Sequence, residues 1–96
     1  METVTRATDA SEFYLVLTPA FGAPFRASEA VMGRFGNLPE ETRRDLAAVV
    51  AELVTNAVGR GLGGPITVAI AVGDEAIHGE VSDHGEIIPF EMQVGR

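Results

Sequence analysis

Cysteine is absent from the chain. That excludes a disulfide, a thiolate nucleophile and any zinc site built on sulfur, and it fits a reducing compartment. Basic residues are scarce as well: seven stand against fourteen acidic ones, for a formal net charge of -7. Such a balance repels nucleic acid and anionic membrane alike, so neither is expected as a partner. No apolar run approaches the ~20 residues of a membrane span, and the N-terminal region has no basic segment leading into a long apolar one. The expected location is the cytoplasm. No repeat, low-complexity tract or linker interrupts the sequence. A single domain over residues 1–96 is therefore expected, with residues 1–11 a polar, frayed lead-in.

What is present suffices for one compact core: 96 residues, 46% hydrophobic, with five Phe and one Tyr. The strongest pattern runs from Leu38 to Gly61. There Leu46, Val49, Val50, Leu53, Val54, Ala57 and Val58 recur at the three- and four-residue steps of one helix face. Pro39 suits the first turn, Glu40 and Glu41 suit the positive end of the helix dipole, and Gly59 and Gly61 predict the stop. At about 100° per residue, Asp45, Glu52, Asn56 and Gly59 form a row along the edge of that apolar stripe. A carboxylate and an amide half-buried there would need partners, because an unpaired buried polar group costs about 1–3 kcal/mol.

Before this helix, Phe13 to Thr18 alternates as a short strand closed by Pro19, and Phe25, Ala30, Val31, Arg34 and Phe35 predict a first helix over 25–35. After it, Ile66, Val68, Ile70 and Val72 alternate with small residues. Gly73-Asp74-Glu75 turns the chain, and Ala76 to Ser82 returns, which predicts a β-hairpin. Ile77, Gly79, Val81 and Asp83 share one parity, so Asp83 points at the helices if the isoleucine and valine do. Ile88, Phe90, Met92 and Val94 predict a short last strand.

The polar residues admit bland readings as well. Glu52 and Asn56 suit a solvated helix edge, Asp83-His84-Gly85 suits a turn, and Arg60 suits a charge at the helix C-terminus. His78 and His84 are expected in solvent and form no metal-ligand cluster.

The string Glu52-Leu53-Val54-Thr55-Asn56-Ala57-Val58, followed by a glycine-rich loop, a hairpin and Val81-Ser82-Asp83-His84-Gly85, resembles the GHKL (histidine-kinase-like) ATPase superfamily. Over about residues 12–86 it is most similar to the small bacterial anti-sigma factor and serine-protein kinase branch. The resemblance implies an α/β two-layer sandwich, a mainly antiparallel sheet with helices on one face, here truncated. It also implies an ATP-binding regulatory domain that uses Mg2+. Glu52 would orient or deprotonate the nucleophile, Asn56 would coordinate the magnesium, Arg60 would lie near the phosphates, Asp83 would accept from the adenine amino group, and Gly85 would let the backbone pass close to the base. Asn56 and Asp83 would then face a common cavity.

The chain departs from the family where Glu86 and Ile87 replace the usual continuation x-Gly after Asp-x-Gly, and where it reaches Arg96 before any glycine-rich lid. Phosphoryl transfer depends almost wholly on positioning and electrostatics around the phosphates. These departures therefore imply weak ATP binding and little or no transfer. The alternatives are a non-catalytic protein-interaction module that retains the fold, or a fragment of a longer kinase. A protein regulator of the sigma-factor or anti-anti-sigma type is the expected partner. A sheet edge left bare by missing strands implies a homodimer, unless Ile88 to Val94 covers it within the same chain.

Overall fold

The computed structural model describes residues 3–6, 12–61 and 63–94. In chain order its elements are β1 (Thr3–Arg6), β2 (Glu12–Leu17), α1 (Ala23–Arg34), α2 (Glu40–Arg60), β3 (Ile66–Val72), β4 (Ala76–Asp83) and β5 (Glu86–Gln93). The strands form one antiparallel sheet in the order β1-β2-β3-β4-β5. Both helices lie over β2, β3 and β4, which gives the expected two-layer α/β sandwich.

α2 follows its sequence closely. Leu46, Val50, Val54 and Ala57 are buried, and Val49, Leu53 and Val58 flank them half-buried. Each large apolar side chain taken fully out of water contributes roughly 1.5–3 kcal/mol. Pro39 stands one residue ahead of the helix as its N-cap. Gly61 ends the helix in the left-handed conformation (φ 64°), which a residue without Cβ adopts at least cost.

α1 starts earlier than expected, and of its expected face Val31 and Phe35 are buried while Phe25 is not. Ala23, Ala27 and Val31 pack inward at four-residue steps, and Phe35 follows them, meeting Phe13 with ring centroids 5.7 Å apart. Phe25, counted in the expected face, is exposed, as is Phe21. The alanines sit where α1 packs closely against α2, a preference that spacing of the larger residues does not register.

The lead-in also differs from expectation. Thr3–Arg6 is an edge strand paired with β2, from Thr3 opposite Leu17 to Arg6 opposite Tyr14. The rest of the expected frayed end lies outside the described residues.

β5 pairs with β4 along its whole length, from Ala76 opposite Gln93 to Asp83 opposite Glu86. The β4 edge is thus covered within the chain, and the reason given above for a homodimer falls away. Phe90 lies directly over Gly79: a Cβ at that glycine would sit 2.3 Å from the ring.

Candidate functional site

Strand parity places the key carboxylate. Register aligns Leu17, Ile66 and Asp83 in one row across β2, β3 and β4, next to the row of Leu15, Val68 and Val81. All the apolar members of these rows are buried against the helices, so Asp83 is carried inward with them and is only 3% exposed. The inward orientation expected for Asp83 is what the structure has.

Burial of a carboxylate requires a partner, and α2 provides it. Arg60 Nη2 donates to Asp83 Oδ1 at 3.1 Å, from a side chain 31% exposed. Arg60 Nε stands 3.7 Å from Glu86 Oε1, which faces solvent. Among the described residues Arg60 is the one side-chain partner of Asp83. The arginine thus joins the end of α2 to both strands of the β4–β5 hairpin.

That hairpin closes through a two-residue turn, His84-Gly85, with both residues at positive φ (43° and 93°). Two central residues of that kind match the right-handed twist of the strands they connect. Gly85 therefore serves the turn, in keeping with the bland reading of Asp-x-Gly. Ile87 follows on β5, where its side chain is exposed. Where the resembled family continues towards its lid, this chain has a tight turn and a strand.

A cavity of about 220 Å³ opens between the end of α2 and the sheet. Ala57 and Val58 form its helix wall, Ile66 and Asp83 its sheet wall, and Pro19 closes one side. Gly61, Gly63 and Gly64 of the connecting loop line the remainder, so that part of the wall is backbone. Among the described residues the lining side chains are apolar apart from one carboxylate, and the glycine backbone adds further polar atoms. Such a space suits a flat, mostly apolar group carrying a hydrogen-bond donor.

Glu52 and Asn56 are exposed and lie outside the cavity lining. The half-buried position expected for them is not realised: both side chains are exposed. Asp83 borders the cavity, whereas Asn56 stands outside its lining on the exposed helix edge. Glu52, Asn56 and Arg60 do follow one another at four-residue steps along α2, so the row leads up to the cavity at its Arg60 end. Arg60 itself is at the buried carboxylate. Pro19, Ile66, Gly63, Gly64 and Glu86 escaped the sequence reading, because only the folded chain brings the β2–α1 turn and the β5 start to the end of α2.

A second concavity, of about 610 Å³, lies across β2 to β5 and is lined by Tyr14, Ala69, Ala71, His78, Glu80 and Pro89, among others. These six residues share the sheet face opposite the helices. Among the described residues no three His, Asp or Glu side chains converge to hold a metal. No described helix is long and apolar enough to cross a membrane.

A family model described as Histidine kinase-like ATPase domain matches residues 21–93, more than half of the chain. The chain belongs to that family. The match takes in both helices and β3 to β5, and hence every residue of the cavity lining except Pro19. No curated protein and no solved structure matches the chain. Membership makes this an ATPase-type fold, for which nucleotide binding is the general activity.

Proposed function

We propose that the 220 Å³ cavity is the base end of a nucleotide site, and that the protein is an ATP- or ADP-binding regulatory domain of the anti-sigma, serine-kinase type with little or no phosphoryl transfer. The observation that carries this reading is Asp83, a 3% exposed carboxylate on a cavity wall whose other side chains are apolar. An ionised carboxylate only accepts hydrogen bonds, so it suits the amino group of adenine. The sugar and phosphates would then run along the α2 edge, past Arg60 towards Asn56 and Glu52.

Magnesium fits this arrangement in a limited way. Asn56 supplies one amide oxygen, and magnesium keeps most of its shell as water and phosphate oxygen. With no convergent carboxylates nearby, the ion would be held only together with a nucleotide. When bound, it would neutralise phosphate charge. Glu52 is on the same helix edge, where it could orient a nucleophile, and both Glu52 and Asn56 are exposed. Phosphates at Asn56 would stay open to water, which favours binding over transfer.

Calorimetric titration with ADP and magnesium tests the site. Heat of binding that Asp83→Asn and Asn56→Ala each reduce supports it, and absence of heat at millimolar nucleotide rejects it. A second reading is a non-catalytic module that holds a protein regulator, of the sigma-factor or anti-anti-sigma type. It is favoured by the exposed Glu52 and Asn56 and by the strand in the lid's place. Regulator binding that survives in an Asn56→Ala, Asp83→Asn double variant would select it.

A further inference from the structure

We infer that Arg60 is a latch on the cavity, resting on Asp83 when no ligand is bound and retiring to Glu86 when one is. The inference builds on the nucleotide-site reading and concerns how that site is controlled. Three observations support it. Arg60 Nη2 occupies Asp83 Oδ1 at 3.1 Å, and among the described residues Asp83 is the only carboxylate on the cavity wall. A ligand amino group seeking that oxygen meets a charge-assisted hydrogen bond about twice as strong as a neutral one. The ligand must displace the guanidinium or share the carboxylate with it.

The arginine is free to leave. Its residue is the last of α2, just ahead of the left-handed Gly61, and its side chain is 31% exposed. Glu86 offers it a second carboxylate, 3.7 Å from Nε and 53% exposed, outside the cavity lining. A guanidinium has five N–H donors in a fixed fork. It can therefore give up Asp83 while keeping its charge paired at Glu86. Asp83 in turn exchanges the arginine for the ligand's amino group, so neither charge is stranded.

Adenosine is the decisive probe, since it carries the amino group and no phosphate for Arg60 to attract. Arg60→Met keeps the aliphatic stem and removes the competitor. It should bind adenosine about tenfold more tightly than wild type, the order expected when a charge-assisted hydrogen bond no longer has to be broken. Glu86→Gln removes the resting place and should weaken adenosine about threefold, the scale of an exposed ion pair. Thermal unfolding of each variant establishes that it is folded before titration, and Glu86→Gln, a surface change, carries the test if Arg60→Met does not fold.

Adenosine binding that is unchanged or weaker in Arg60→Met, or unchanged or tighter in Glu86→Gln, overturns the latch while leaving the nucleotide site standing. Failure of adenosine and of ADP with magnesium on every variant, wild type included, removes the site and the latch together.

Discussion

Arg60 and Asp83, 23 residues apart in the chain, meet at 3.1 Å with unequal burial: the carboxylate is 3% exposed and the guanidinium side chain 31%. The inequality sets what each partner loses when the other is removed. Arg60 has a path to water and a second carboxylate in Glu86, whereas Asp83 is held in the core row of Leu17 and Ile66. Removing the arginine therefore strands a buried charge, and removing the carboxylate does not. Arg60→Ala is expected to destabilise the fold by roughly 2 kcal/mol, below the 3–5 kcal/mol of a fully enclosed pair because the cavity admits water. Asp83→Asn should cost about half as much. Urea unfolding of both variants measures the difference, and equal losses would contradict it.

The separation of Asp83 from Asn56 divides the proposed site into two ends that respond to different ligands. Asp83→Asn should weaken adenosine and ADP alike, by about tenfold or more, because a hydrogen bond to a charged group is lost. Asn56→Ala should weaken ADP in the presence of magnesium and leave adenosine unchanged. Parallel titrations of the two ligands decide the matter. An Asn56→Ala effect on adenosine equal to that on ADP would show that the two residues serve one end.

Magnesium should have no effect alone. Asn56 supplies a single amide oxygen, and no cluster of three acidic or histidine side chains occurs among the described residues. Millimolar magnesium by itself is therefore expected to leave the melting temperature unchanged, while magnesium with ADP raises it by mass action. Removing the metal with a chelator should return the protein to the weaker, metal-free ADP affinity. A shift with magnesium alone would indicate a preformed metal site elsewhere.

A side chain at Gly79 is predicted to displace the Phe90 ring. A Cβ there would lie 2.3 Å from the Phe90 ring, and overpacking of that kind costs about 1–3 kcal/mol. Gly79→Ala should lower stability by that amount and loosen β5, which amide hydrogen exchange of Phe90 and Met92 would register. Gly79→Ala combined with Phe90→Ala should recover part of the loss, since the clash is then gone.

Most of the fold is legible in the residue pattern. The stripe from Leu46 to Val58 specifies α2, and the alternation of Ile66 to Val72 and of Ile77 to Val81 specifies the hairpin, because burial of one face is the dominant local demand on each segment. The same parity carries Asp83 inward with Ile77 and Val81. The resemblance to the family rests on Glu52 to Val58, the glycine-rich loop, the hairpin and Val81 to Gly85 in that order. Spacing failed where several packing solutions compete, as for α1, whose buried face is set by small alanines rather than by Phe25.

Tertiary structure alone decided which polar residues meet. Glu52, Asn56 and Arg60 follow one another at four-residue steps along α2, but of the three only Arg60, at the last turn, comes within reach of the β4–β5 hairpin. The same packing left Glu52 and Asn56 in water and drew Pro19 and Glu86 to the end of α2. A helix periodicity states which side faces the core. How far along that side a given turn meets another strand depends on how the elements dock, and docking is a property of the whole chain.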